Sequence, residues 1–401
     1  METNLKRHHR DTPAGREAEE ILRKCTHCGF CLATCPTYQL QGDELDSPRG
    51  RIYLIKQVLE GQAPGPRTQQ HLDRCLTCRA CETTCPSGVE YGKLLDLGRE
   101  LVEEQTGRLP SPVRWGLKRV VPRPRLFAAA LRAGQLLRPL LPAALADKVP
   151  ARRPGRAWPA ARSHPRRVVL LKGCVQPGIA PEINPSTAAL LDQLGIETVA
   201  TREGCCGALD QHLAEPERAR ARMRANIDAW YPALADGAEA VVVNASGCGA
   251  LVKEYDHHLR DDPAYAERAR LVAQRAVDPV ELLEAAADRL QPAAGMPRRI
   301  AFHSPCSLQH GQRLAGRVEA LLRRVGFELT PVTDPHLCCG SAGTYSVLQP
   351  KIAAELRDQR LTALTVGGPE AIATANIGCL AHLAAKSPVP VCHYVEFLEA
   401  R

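Results

Sequence analysis

Downstream of residue 166 the chain alternates between two hydrophobic periods. Short apolar runs, Arg167-Val-Val-Leu-Leu171, Ala240-Val-Val-Val-Asn244, Arg299-Ile-Ala-Phe302 and Ala371-Ile-Ala-Thr-Ala-Asn376, are too brief for helices and read as buried strands. Glu197 to Ala200 and Glu328 to Val332 read as two further short strands. Helical periodicity fills the gaps, over Ser186 to Leu194, Glu215 to Trp230, Leu314 to Val325 and Lys351 to Leu364. Strand and helix therefore alternate, which predicts α/β units on parallel sheets. Upstream of residue 106 there is no strand pattern. There Ile52-Tyr-Leu-Ile-Lys-Gln-Val-Leu59 has the spacing of a helix with one apolar face, which predicts a small helical unit.

The chain has 401 residues, enough for two to three domains at ~150 residues each. At 44% hydrophobic residues it can fill a core in each, so a disordered or fibrous chain is excluded. No apolar run approaches the ~18 residues of a membrane span. The first ten residues are polar and basic, without the apolar segment of an export signal, and the expectation is a cytoplasmic protein. In that reducing compartment 17 cysteines point to metal ligation or redox chemistry rather than disulfides.

Eight of them form two copies of one motif. Cys25-Thr-His-Cys28-Gly-Phe-Cys31-Leu-Ala-Thr-Cys35-Pro36 and Cys75-Leu-Thr-Cys78-Arg-Ala-Cys81-Glu-Thr-Thr-Cys85-Pro86 share the spacing C-x2-C-x2-C-x3-C-P. Three close cysteines in a tight turn supply three corners of a four-iron cubane, and in two-cluster ferredoxins the cysteine before proline ligates the other cluster. The expected ligands are Cys25, Cys28, Cys31 and Cys85 for one [4Fe-4S] cluster, and Cys75, Cys78, Cys81 and Cys35 for the other. Zinc is the alternative, but structural zinc sites favour pairs of C-x2-C over a four-cysteine run ending in proline. Gly29 suits a loop whose backbone N–H groups approach sulfide closely. Ser47, Arg49 and Arg51, between the motifs, read equally as a helix start and as contacts to the cluster surroundings or a partner.

The remaining pattern is a duplication. Cys174, Cys205-Cys206-Gly207 and Cys248 recur as Cys306, Cys338-Cys339-Gly340 and Cys379 at offsets of 132, 133, 133 and 131 residues. Each set lies in loops after strands, where open α/β sheets gather their ligands. Cys174, Cys205, Cys206 and Cys248, and Cys306, Cys338, Cys339 and Cys379, are thus candidate additional sites for a further cluster or zinc. The competing reading is inert buried cysteine. His303 and His310, near Cys306, are expected to be ordinary hydrogen-bonded histidines rather than ligands. Cys392 and His393 have no assigned role.

The net charge of +8 is unevenly spread. Arg108 to Arg167 holds 15 Lys and Arg against one acid, Asp147, with 10 of the 32 prolines and no cysteine. This is a basic, Pro-rich connector with a short helix over Leu126 to Leu137. It is either a solvated linker or a surface for an acidic partner or anionic membrane. No stacking aromatics accompany the charge, so nucleic acid is not an expected partner. The division expected is 1–105 ferredoxin-type, 106–165 connector, 166–290 first cysteine-rich domain and 297–401 second.

With these motifs in view the chain resembles a family of iron–sulfur subunits that includes heterodisulfide reductase, anaerobic glycerol-3-phosphate dehydrogenase and lactate-utilisation proteins. Gly173-Cys-Val-Gln-Pro177, Glu203-Gly-Cys-Cys-Gly207, Ala245-Ser-Gly-Cys-Gly-Ala250, His336-Leu-Cys-Cys-Gly-Ser-Ala-Gly-Thr-Tyr345 and Thr374-Ala-Asn-Ile-Gly-Cys379 are most similar to the iron–sulfur subunits of bacterial glycolate oxidases. The resemblance implies a fold of an N-terminal helical domain for two [4Fe-4S] clusters and two duplicated α/β CCG domains. It also implies a subunit of a glycolate dehydrogenase oxidising glycolate, and D-lactate, to the 2-oxo acid. Substrate chemistry would lie on FAD in a partner flavin subunit, and electrons would pass to a quinone or another membrane acceptor. The chain would then sit peripherally on the cytoplasmic side of the inner membrane. Anaerobic glycerol-3-phosphate or lactate dehydrogenases, and thiol–disulfide chemistry at the Cys-Cys-Gly sites, are the alternatives. In the heterodisulfide reductase type the last cysteine belongs to a C-x-x-C pair; the corresponding partners here are Leu251 and His382. The chain has no dinucleotide-binding glycine motif and no phosphate loop, consistent with hydride chemistry on another subunit.

Overall fold

The N-terminal helices close around Leu22, Ile55, Leu94 and Leu95, side chains with essentially no solvent exposure. In this computed structural model, residues 1–107, 111–140 and 149–401 are described; Arg108, Asp147 and Lys148 of the basic run lie outside them. The main helices of this region are Pro13–Lys24, Pro48–Leu59 and Tyr91–Thr106. Thr12 and Ser47 cap the first two, each accepting a hydrogen bond from a first-turn N–H, with proline at the next position where no donor is needed. The two cysteine loops lie between these helices.

Each cysteine-rich half is a four-stranded parallel sheet. The first runs β2-β1-β3-β4, with β1 Arg166–Leu170, β2 Ile196–Val199, β3 Ala240–Val242 and β4 Ala276–Val277. After β5, Leu290–Pro292, the second repeats the order as β7-β6-β8-β9. Its strands are β6 Arg299–His303, β7 Glu328–Leu329, β8 Ala371–Thr374 and β9 Val391–His393. The last strand, β10 Leu398–Ala400, returns antiparallel to β5. The expected helices are present as Ile183–Gln193, Pro216–Ala235, Arg317–Val325 and Pro350–Thr365. In both sheets the chain leaves the central strand, adds one neighbour on one side and then crosses to the other. This creates a switch point at the strand C-termini, where loops splay apart and ligands bind.

One apolar core runs through both halves, from Ile183 and Leu190 of the first to Ile300, Phe302 and Phe397 of the second. Polar contacts cross the same seam. Ser246 and Ser307 share a 2.8 Å hydrogen bond, and the Tyr394 hydroxyl donates to Asp278 at 2.9 Å. His393 hydrogen-bonds the Asn244 carbonyl at 2.7 Å, which gives this unassigned histidine a structural role.

The connector contributes helices Pro112–Val120 and Pro124–Leu137, the second close to the expected span. Phe127 and Leu131 of the second lie against Gly178 of the first cysteine-rich half. Leu136 and Leu140 remain 81% exposed.

Candidate metal centres

The two N-terminal cysteine loops share a backbone device. His27 and Gly29 in one, and Thr77 and Arg79 in the other, have positive φ (56°, 87°, 51° and 60°), so each loop coils inward around its thiols. A Cβ at Gly29 would stand 2.9 Å from Arg49 Nη1. The matching position of the second loop is Arg79, which donates to both carboxylate oxygens of Glu254, the second at 2.8 Å. That pair also ties the loop to the first cysteine-rich half.

Cys35, Cys75, Cys78 and Cys81 line one small pocket, walled also by Arg51, Leu76 and Tyr91. The other four, Cys25, Cys28, Cys31 and Cys85, form an outer set that runs from buried Cys25, close to the other three, to the surface. Cys28 is exposed, beside Phe30 at 64% exposure. Burial pushes the Cys31 thiol up to about 11, and burial with neighbouring thiols drives Cys78 and Cys81 well above the usual range. Multivalent iron relieves such mutual repulsion by taking the place of the protons. Two sets of four thiols, one of them lining a common pocket, therefore fit a pair of four-iron clusters.

A buried charge network supports the inner set. Asp46, fully buried, accepts from Arg51 at 3.2 Å, Arg74 at 2.8 Å and His71 at 2.9 Å. Arg51 also donates to Thr37 at 3.0 Å, and Thr37 Oγ1 lies 3.3 Å from Cys35 Sγ. Burial opposes the Arg51 charge, but Cys75, Tyr91, Cys35 and Asp46 together hold it protonated more firmly than usual. Tyr91 Oη lies 3.5 Å from Cys75 Sγ. Of the three residues singled out between the motifs, Ser47 is the helix cap, Arg49 pairs with Glu44, and Arg51 faces the thiols. Asp46, His71, Arg74 and Tyr91 have no motif spacing that would have marked them.

In the first cysteine-rich half Cys174, Cys205, Cys206 and Cys248 meet at the strand C-termini. Bonds from the Cys174 and Cys206 thiols, with Arg222 nearby, hold Cys205 well below the usual thiol range. In the second half Cys306 and Cys338 lie 3.8 Å apart, and Cys339 contacts Cys338 and Cys379. Contact with Cys338 and burial push Cys306 well up. Gly207 and Gly340 both have positive φ because a helix backbone presses on the turn. A Cβ would lie 3.2 Å from the Ala219 carbonyl oxygen in one and 2.7 Å from that of Ala353 in the other.

His310 is the ordinary histidine expected, hydrogen-bonded to Thr83 at 2.8 Å and to the His336 carbonyl at 3.2 Å. His303 departs from that expectation. It is fully buried and neither ring nitrogen has a hydrogen-bond partner. Its side chain stands with Cys339 and Cys379, ligand atoms within 4.8 Å of one another. His382, at the C-x-x-C partner position, is directed instead at the Ala353 carbonyl, and Leu251 packs in the core.

The second half also reaches the inner N-terminal set. Cys78 and Cys306 pack in one small apolar cluster with Leu76, Cys338 and Tyr345, and the Tyr345 hydroxyl donates to the Arg74 carbonyl at 3.0 Å. Cys248 of the first half packs against the apolar cores on both sides of the seam.

Comparison with known proteins agrees with this geometry. Residues 21–89 match the family described as a 4Fe-4S dicluster domain, and residues 168–253 and 300–384 each match the cysteine-rich domain family. The chain is 54% identical to the glycolate oxidase iron–sulfur subunit of Escherichia coli, covering all of this chain and 98% of that protein. It is 32% identical to the probable glycolate oxidase iron–sulfur subunit of Bacillus subtilis over 91% of this chain and 89% of that protein. Lactate utilization protein A of Bacillus licheniformis is 29% identical over 59% of this chain and the whole of that protein.

Proposed function

This chain belongs to the family of glycolate oxidase iron–sulfur subunits, and from that premise we propose that it is the electron-relay subunit of a complex that oxidises glycolate, and D-lactate, on a flavin carried by a partner. Cys25, Cys28, Cys31 and Cys85 would hold the outer [4Fe-4S] cluster; Cys75, Cys78, Cys81 and Cys35 would hold the inner one. Such clusters, when bound, accept and release single electrons, with potentials set by charge, hydrogen bonds to sulfur and exposure.

The observation that carries the reading is the contrast between the two ends of the thiol array. Cys28 and Phe30 stand at the surface, where a partner can dock, while Cys75 and Cys81 are buried and Cys78 packs with Cys306 in one apolar cluster. Clusters held at these two sets would offer electrons a way from the surface near Cys28 toward Cys306 and the cysteine-rich halves. Arg51 sets a positive charge beside Cys35 and Cys75, which favours the reduced inner cluster. Against the first half lies the connector helix, where exposed Leu136 and Leu137, and Leu140 in the turn just after it, stand among Arg132 and Arg138. That surface supports peripheral contact with an anionic membrane, where a quinone acceptor resides.

Rapid mixing of the assembled complex with glycolate tests the relay. With Cys78→Ser the partner flavin is still reduced at the normal rate, but its reoxidation by a quinone analogue falls at least ~100-fold. Normal reoxidation in that variant would refute the path. Flotation of the same complex with anionic but not zwitterionic vesicles, lost on Leu136→Asp with Leu140→Asp, tests the membrane contact.

A further inference from the structure

The duplication places the same thiols in both cysteine-rich halves but not the same neighbours. Counting back 132 residues, the offset that relates Cys306 to Cys174, His303 corresponds to Leu171, which packs in the apolar core beside Cys206. The flanking helices differ in the same direction. With Pro350 aligned on Pro216, Arg360 corresponds to Asn226, whose side-chain amide is bound by the Cys205 carbonyl and the Tyr255 hydroxyl. Arg360 is 3% exposed and uses Nη1 on the Thr333 and Asp334 carbonyls, but its Nε and Nη2 have no partner. The second half has thus acquired an unbonded imidazole and an under-satisfied guanidinium at one thiol cluster, and the first half has neither.

We propose that the second cysteine-rich site holds an iron–sulfur cluster through His303 as well as through Cys306, Cys338, Cys339 and Cys379, with Arg360 as its buried counter-charge. This rests on the relay reading above and deepens it. Polar groups buried without partners signal a ligand, because a protein interior rarely leaves donors and acceptors unsatisfied. Here an acceptor-bearing ring faces two thiols within 4.8 Å, and a cation with free donors interacts electrostatically with Cys338, Cys339 and Cys379, the arrangement an anionic, thiolate-ligated metal group would complete. The donors form two groups, the Cys306–Cys338 pair at 3.8 Å and the His303–Cys339–Cys379 set. One tetrahedral zinc ion takes about four donors, whereas five donors in two groups suit several irons. Replacing an anionic thiolate by a neutral imidazole on an iron raises the cluster potential, and Arg360 acts in the same sense. The site next to Cys78 would then be an electron sink for the inner N-terminal cluster, and the first half, with Leu171 and Asn226, would offer thiolates alone.

The full-length chain, reconstituted anaerobically with iron and sulfide, provides the test. It is prepared as wild type, His303→Leu, His303→Cys and Cys339→Ser, each with natural-abundance and 15N-labelled histidine. Wild type should contain more iron than Cys339→Ser. Its pulsed paramagnetic resonance spectrum should show a histidine nitrogen coupling that changes with the label. His303→Leu should lose that coupling, and His303→Cys should keep the additional iron with no nitrogen coupling and a lower potential. A nitrogen coupling that survives in His303→Leu, a third cluster without nitrogen coupling in wild type, or stoichiometric zinc with no iron beyond Cys339→Ser would each overturn the proposal. The roughly eight irons of the two N-terminal clusters report on the relay reading separately, since their loss from wild type would sink that reading whatever happens at His303.

Discussion

In the first cysteine-rich half, the turn Gln176–Ile179 that follows Cys174 is covered by the basic connector helix, with Phe127 on Gly178. In the second half the corresponding turn, Ser307–Gly311 after Cys306, is covered by the N-terminal helix Ala80–Thr84, with Thr83 on His310. The repeat offset equates Gly178 with His310 and, near the paired cysteines, His212 with Tyr345. His212 lies 3.6 Å from Asp96 of the helix Tyr91–Thr106, whereas Tyr345 reaches Arg74 at the charge network behind Cys35 and Cys75. Two copies of one scaffold have therefore been specialised by what lies on them. The second brings its thiol turn onto the inner thiols of the N-terminal region, whereas the first has its thiol turn under a basic helix with exposed leucines and meets the N-terminal region through Arg79–Glu254 and His212–Asp96. This lesson concerns packing rather than ligand spacing, because the cysteine pattern is the same in both.

The strongest way to break the comparison is to remove the charge network that only the second half touches. Asp46→Ala strands the buried Arg51 cation, and loss of one partner of a buried ion pair costs about 3–5 kcal/mol. Urea unfolding should record that loss. Amide exchange should accelerate around Tyr345 and leave the segment around His212 unchanged.

A smaller effect probes the seam. Burial raises the Asp278 carboxyl to about 7, against the backbone N–H of Val280 and the Tyr394 hydroxyl, which favour its charge. Its folded value lies above its unfolded one, so the folded state binds the proton more tightly. The stabilisation is complete below pH ~4 and is lost as pH rises toward 7, at most about 1.4 kcal/mol per pH unit. Glu396, also raised to about 7 by burial, contributes a parallel slope. Asp278→Asn should retain only the Glu396 part, so its stability relative to wild type should improve from pH 5 to pH 8. Urea midpoints at the two pH values that shift equally in both proteins would contradict this.

The least change is expected from a matched pair of glycines. Alanine at either Gly207 or Gly340 has to adopt positive φ, at about 1–2 kcal/mol. Only at Gly340 does the new methyl also collide with a backbone carbonyl, at 2.7 Å against 3.2 Å. Gly340→Ala should therefore be the less stable of the two by about 1 kcal/mol or more, as read from thermal or urea unfolding. Equal losses would mean that the two turns are packed alike.

The sequence determined the elements and which cysteines are candidate donors. Its apolar runs located the central strands to within a few residues, its repeat offset announced the duplication, and C-x2-C-x2-C-x3-C-P spacing named eight thiols, because strand burial and tight-turn ligation are local properties written in adjacent residues. Only the tertiary structure decided which thiols became neighbours of which charges. Asp46, Arg74, Tyr91 and Arg360 carry no spacing signal, since their roles depend on contacts between segments far apart in the chain. His303 shows the limit most plainly: in the sequence it is one histidine near a cysteine. Whether its nitrogens were satisfied depended on the packing of β6 and β8 and of the helix carrying Arg360, and those long-range contacts left them bare beside Cys339 and Cys379.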